Sequence, residues 1–224
     1  MDKITDCIQK TAKRMADGNL NISEEKIIMR LVNTEWNRQM VEGIPHREFC
    51  DLSVTYWIFL GMDGDSMASV MVTDQIAEMA GMTEQQLYEK AAIDTRELFP
   101  PTVTDITSVI RDAMVSAGED ADIYFDGMPM KAPIYVVSNS IRNNGAASML
   151  CGDGLRGIAE RMGTDLYILP SSIHEVIAVP AAGLDPDVLA QMVAEINMRE
   201  VMPDERLSNH VYRYDRGSGK TSIA

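Results

Sequence analysis

The apolar positions follow two patterns. Leu52–Leu60 (LSVTYWIFL) and Met67–Thr73 (MASVMVT) are rich in β-branched and aromatic residues, and the GMDGDS stretch between them carries Asp63-Gly64, a strong turn pair. Together they predict a β-hairpin. Strand character returns at Ile134–Ser138, Ala146–Leu150, Asp165–Leu169, Ile173–Val179 and the VYRY segment before Asp215. Helical spacing predicts a helix over Ser23–Val41, with Ile27, Leu31 and Arg38 on one face, and a short one over Asp74–Gly81 closed by its glycine. Thr83–Leu98 opens on a threonine cap, Gly154–Met162 stops at Gly163, and Pro186–Met198 starts on a proline suited to a first helical turn. Thr102–Ala117 has the length and spacing of one further helix.

This order of elements predicts an α+β fold: a mixed, largely antiparallel sheet with helices packed mainly on one face. Pro100-Pro101 ends the Thr83 helix, because neither proline donates a hydrogen bond and the residue before a proline avoids helical angles. Gly118–Pro133 is rich in acids, glycine and proline and predicts a solvent-exposed excursion. The expected organisation is an N-terminal helical extension over residues 1–22, one α+β domain over 23–215 with its excursion near 118–133, and a disordered tail over 216–224. A strand pair followed by a helix near residues 52–96, and again near 134–162, suggests a loose repeat in architecture.

Charge narrows the function more than length does. The 224-residue chain has 20 basic and 34 acidic residues, a formal charge of −14. Nucleic acid is then disfavoured as a partner, since duplex binding draws on Lys and Arg neutralising phosphates, and an anionic membrane surface is disfavoured for the same reason. An acidic field suits a basic partner or a cationic ligand. The N-terminal MDKITDCIQK has no continuous apolar core of the kind a signal peptide needs, and the longest apolar run is a strand's length, short of a membrane span. Cys7, Cys50 and Cys151 are odd in number and far apart, which points to reduced thiols in a cytoplasm, with neither a disulfide framework nor a zinc knuckle.

Candidate chemistry gathers in Asp165–Pro180, DLYILPSSIHEVIAVP, where Ser171, Ser172, His174 and Glu175 lie between two strand-like runs. In a strand Ser172 and His174 share a face, so a nucleophile and base could meet there, with Glu175 or a distant acid orienting the imidazole. The segment lacks a G-x-S-x-G elbow, and a working triad normally draws on separate elements. The plainer reading has both hydroxyls satisfying nearby backbone groups and His174 as a structural residue of a central strand. Gly152–Gly157 fits G-x-G-x-x-G, but its preceding strand is short and too little chain follows for a dinucleotide fold. Gly217–Thr221 echoes a phosphate loop without the first glycine or a following helix. His46, His174 and His210 fall in separate blocks, and His46 with Cys50 supplies two ligands at most, so neither a metal site nor a cofactor is expected.

Several blocks carry a resemblance: RLVNTEWN (Arg30–Asn37), IPHREFCDLSVTYWIFLG (Ile44–Gly61), ASVMVTDQIAEMAGMTEQQLYEKA (Ala68–Ala91), IYVVSNSIRNNGAASML (Ile134–Leu150), LPSSIHEVI (Leu169–Ile177) and LSNHVYRYD (Leu207–Asp215). In these the chain resembles a group of uncharacterised bacterial proteins classed as a domain of unknown function. Beside those relatives it looks like a short or N-terminally truncated member, and the resemblance implies no activity. The expectation is therefore a cytoplasmic, non-enzymatic binding or regulatory domain whose partner is an unknown protein or small molecule. A small hydrolase using Ser172 and His174, and a structural subunit of an assembly, are the alternatives.

Overall fold

A computed structural model describes residues 3–17, 21–64, 66–118 and 133–224. It is α+β, as the element order implies, but the strands form two antiparallel sheets in two compact units, residues 1–100 and 101–224. The chain thus clusters as two units where one domain over 23–215 was expected. The division falls between the two prolines, where the chain cannot carry a helix from one unit into the next. The expected excursion lies outside the described residues, except for Gly118 and Pro133.

The first unit opens with α1 (Lys3–Ala16), within the expected helical extension. Its sheet consists of β1 (Ile27–Asn33), β2 (His46–Phe49), β3 (Leu52–Asp63) and β4 (Ser66–Met71), with α2 (Arg38–Val41), α3 (Asp74–Met79) and α4 (Glu84–Leu98) around it. β1 runs along one edge of β3, while β2 and β4 share the other. The expected helix over Ser23–Val41 is therefore a strand followed by a single helical turn. Ile27 and Leu31 do fit a helical face, but Ile28 and Met29 between them and Val32 after them are apolar too, and β3 supplies a partner with matching alternation. Ile27, Met29 and Leu31 face Ile58, Tyr56 and Val54 in register and are all buried.

α4 lies against β1, and its side chains close the outer edge of that strand. Asp94 accepts the Ile27 amide at 3.0 Å and Thr95 Oγ1 accepts the Met29 amide at 2.9 Å, both buried. Lys26 and Lys90 reach the same carboxylate at 2.8 and 3.0 Å. Burial alone would raise the Asp94 pKa, but the hydrogen bonds from Lys26, the Ile27 amide and Lys90 outweigh it and hold the carboxyl below its ordinary range. The start of α4 is fixed by a Thr83–Gln86 capping box, and Glu84 takes bonds from Arg47 and the buried Tyr56 hydroxyl.

The other face of this sheet mixes apolar side chains, Ile28 and Trp57 among them, with polar ones. Ser53 and Thr55 are fully buried; Thr34 Oγ1 bonds Ser53 Oγ at 2.9 Å and Trp57 Nε1 donates to Thr55 Oγ1 at 3.0 Å. Arg30 stacks on Trp57, 4.3 Å from the ring centre, and donates to Ser69 Oγ at 2.7 Å, while its Nε is buried with no hydrogen-bond partner. Burial pushes the guanidinium down to about 10, so it is still charged at neutral pH.

The second unit holds β5 (Pro101–Asp105), β6 (Tyr135–Asn139), β7 (Leu166–Pro170), β8 (Val176–Pro180), β9 (Tyr212–Tyr214) and β10 (Thr221–Ile223), in the order β10-β9-β7-β8-β6-β5. Its helices are α5 (Ile106–Ser116), a 3₁₀ helix at Gly145–Leu150, α6 (Asp153–Met162) and α7 (Pro186–Glu200). α6 covers the face that carries Tyr135, with Arg161 over that ring, whereas α7 packs Val193 and Leu189 on Leu169, Val179 and Val211 of the other. Where a disordered tail over 216–224 was expected, Thr221–Ile223 pairs with Tyr212–Tyr214, and Gly217–Lys220 is the hairpin turn, in which Asp215 accepts the Ser218 and Gly219 amides. Ala146–Leu150 is the 3₁₀ helix where a strand was expected, so the second passage lacks the strand pair a repeat needs. Among the described residues no helix is long and apolar enough to cross a membrane.

Candidate functional site

Two places draw chemistry-bearing residues together, one in each unit. In the second unit, β8 begins only at Val176, so Ser171–Glu175 forms an irregular bend before it instead of the expected strand. The bend docks against the loop after β6. Ser172 Oγ accepts the backbone amide of His174 at 3.0 Å, Ser138 Oγ donates to the His174 carbonyl at 2.8 Å, and the Ile173 amide donates to the Glu205 carbonyl at 2.8 Å. The His174 ring accepts the Asn144 amide at Nδ1, 3.2 Å away, and bonds Glu205 Oε1 through Nε2 at 3.3 Å. An amide can only donate, so Nδ1 carries the lone pair and Nε2 carries the proton, which Glu205 receives.

This arrangement locks the imidazole between a backbone donor and a carboxylate. Both of its nitrogens are engaged by groups other than a serine, and the Ser172 hydroxyl is used in the turn. Glu175 contributes its carbonyl, which accepts the Ser172 amide at 3.2 Å. His174 is half-buried beside the sheet and not within a strand. Gly145 explains the close docking: a Cβ there would lie 2.7 Å from the Asn139 amide nitrogen and closer still to Ser138 Oγ and the His174 carbonyl oxygen. Only glycine fits. The neighbouring Asn144 takes φ +51°, a conformation asparagine tolerates better than most residues.

The first unit carries a surface cavity of about 660 Å³ lined by residues of the β1–α2 connection, α2 and the β2–β3 hairpin. Four acidic residues, Glu35, Glu42, Glu48 and Asp51, line it with one arginine, Arg38. His46, at the start of β2, also lines it. Its Nδ1 bonds the Ile44 carbonyl at 3.0 Å, and a carbonyl can only accept, so Nδ1 holds the proton and Nε2 is left as an acceptor. Cys50 opens the two-residue turn between Phe49 and Leu52 with φ +57°, a region where glycine is usual. Asp51 steadies that turn: its carbonyl accepts the Thr34 amide at 3.0 Å and its carboxylate the Asn33 amide group at 3.2 Å. Among the described residues no group of three or more His, Cys, Asp or Glu has the spacing to hold a metal ion.

The model of a family of unknown function, DUF5688, matches residues 1–216. The chain belongs to that family. No curated protein and no solved structure matches it. Membership spans both units, so the cavity and the His174 bend both lie within the family region.

Ser171, Ser172, His174 and Glu175, the candidates from sequence, lie in this one bend, and the His174 ring has partners 30 residues upstream and 31 downstream that local pattern does not reveal. Sequence spacing paired His46 with Cys50 but passed over the carboxylates around them. The available signal was the run of acids in NTEWNRQMVEG and HREFCD, which local spacing scatters over a supposed helix and loop. The G-x-G-x-x-G stretch starts α6 directly after the 3₁₀ helix, with no strand to aim it.

Proposed function

We propose that the protein acts by binding rather than by catalysis, and that the cavity beside the β2–β3 turn takes a cationic ligand bearing N–H donors. The carrying observation is the lining of that cavity, where four acidic residues and His46, whose Nε2 is left as an acceptor, stand with a single arginine. Acceptors of this kind favour an ammonium or guanidinium group, whose bonds to carboxylates are charge-assisted. The overall charge of −14 adds a long-range attraction for such a ligand. The non-enzymatic part rests on the His174 ring, whose two nitrogens are committed to Asn144 and Glu205. A cytoplasmic setting belongs to the same proposal and rests on the cysteine spacing.

Calorimetric titration with agmatine and with tetramethylammonium tests the ligand class. Agmatine binds and tetramethylammonium, which has charge but no N–H, binds at least tenfold more weakly; Glu42→Gln with Glu48→Gln weakens agmatine by a further factor of ten or more, since hydrogen bonds to charged groups contribute about 1.5–3 kcal/mol each. Absence of agmatine binding at millimolar concentration, or equal binding of the two cations, sinks the proposal. Hydrolysis of p-nitrophenyl acetate that is lost in Ser172→Ala sinks its non-enzymatic part.

A further inference from the structure

Between β6 and the 3₁₀ helix the chain holds two non-glycine residues in the left-handed region, Arg142 and Asn144, both at φ +51°. Such conformations persist only where the surroundings impose them, and they gather at switch segments. The Asn139 side chain braces the first part of this turn: its Oδ1 accepts the Ile141 and Asn143 amides at 3.2 and 3.3 Å, and its Nδ2 donates to the Asn143 carbonyl at 2.8 Å. Asn144 is tied differently. Its side chain bonds the neighbouring Asn143, while its amide reaches across the fold to Nδ1 of His174, 30 residues on.

We propose that His174 is a proton-operated latch on this turn, closed while its ring is neutral and released when the ring gains a second proton. With the Nε2 proton given to Glu205, only the lone pair on Nδ1 receives the Asn144 amide. A proton placed on Nδ1 turns that acceptor into a donor, so two N–H groups face each other across 3.2 Å and the bond is lost. The bond to Glu205 stays and becomes charge-assisted. Protonation thus tightens the bend on the Glu205 segment and lets go of Asn144, whose left-handed backbone relaxes. The other ties of the bend do not titrate: Ser138 Oγ to the His174 carbonyl, the Ala146 amide to the Ile173 carbonyl, and the Ile173 amide to the Glu205 carbonyl. Release is therefore confined to the turn.

The His174 side chain is 30% exposed, so water can deliver the proton. Glu205 is the charged group bonded to the ring. Among the described residues Glu175 and Arg142, on the segments packed there, form no ion pair with it, and the Arg206 guanidinium donates to the Val201 and Met198 carbonyls. Imidazole is the side chain that ordinarily changes charge between about pH 8 and 5, which sets the range in which such a latch works.

Amide hydrogen exchange of the full chain by NMR is the test, with the state of the ring read on the same sample from its ¹⁵N shifts. At about pH 8 Nδ1 gives the signal of a lone-pair nitrogen and the Asn144 amide is protected. As the ring charges toward about pH 5, Asn144 protection, corrected for the intrinsic exchange rate, falls about tenfold while that of Ala146 holds. His174→Gln, which takes up no proton in this range, abolishes the pH dependence of Asn144 protection. A proton on Nδ1 at about pH 8, a ring that stays neutral down to about pH 5, or Asn144 protection unchanged after the ring has charged overturns the proposal. Loss of Ala146 protection together with that of Asn144, or a His174→Gln variant that keeps the parent's pH dependence, overturns it as well.

Discussion

Replacing Asp94 tests how the first unit closes its sheet. In Asp94→Ala the Ile27 amide stays buried but loses its acceptor, which costs about 1–3 kcal/mol. Lys26 and Lys90 lose their shared partner, but their side chains are 46% and 24% exposed and regain water, so those pairs add less than about 1 kcal/mol each. The total is about 3 kcal/mol. Asp94→Asn keeps an oxygen for the amide and gives up only the charge, a loss of roughly 1 kcal/mol. The assay is urea unfolding followed by tryptophan fluorescence, because Trp36 and Trp57 are the only tryptophans and both belong to this unit. With a urea slope of about 1–3 kcal/mol per molar, Asp94→Ala lowers the midpoint by about 1–3 M. The native carboxyl titrates below its ordinary range, so its stabilisation is complete above about pH 4 and fades as pH falls through the lowered pKa. Asp94→Asn lacks that component of the acid loss. An Asp94→Ala midpoint within 0.3 M of the parent, or an Asp94→Asn variant as unstable as Asp94→Ala, refutes the role assigned to the buried amide.

Three further outcomes follow from the geometry. Gly145→Ala forces apart the Ser138, Asn139 and His174 segments and lowers stability by about 1–3 kcal/mol, read as a drop in the thermal midpoint by circular dichroism; an unchanged midpoint contradicts the close packing. Arg30→Met removes a buried charge whose Nε has no partner, at the loss of the Trp57 stacking, so stability at pH 7 changes by no more than about 1 kcal/mol, and a loss above 3 kcal/mol shows that the guanidinium is essential to the sheet. Thr95→Val strands the Met29 amide and costs about 1–3 kcal/mol by tryptophan-monitored urea unfolding, whereas Thr95→Ser, which keeps the hydroxyl, costs less; equal losses refute the hydrogen-bond reading.

Local chemistry made much of the fold legible. The Leu52 and Met67 strands, joined through Gly64 at φ +56°, and α4 with its Thr83 cap were readable because the signals that form them lie within a few residues. β1 was not, since a run apolar on both faces satisfies helical and strand spacing alike until its partner is known, and β3 lies some 20 residues further on. The β2–β3 turn was hidden for another reason: Cys50-Asp51 has no glycine or asparagine to announce it. At the His174 bend the sequence gathered the right side chains, but the bonds that occupy the ring come from Asn144 and Glu205, and only the fold brings those near.

The hydrogen bonds from β1 to α4 also bear on behaviour at high concentration. A strand at the border of a sheet exposes amides on which any extended chain can nucleate, and such borders are where soluble proteins begin to form fibrils. Asp94 and Thr95 occupy the Ile27 and Met29 amides, so a passing strand meets filled donors and a helix in its way. Two side chains on α4 thus protect the first unit against templated aggregation, and removing both at once turns a stable border into a seed.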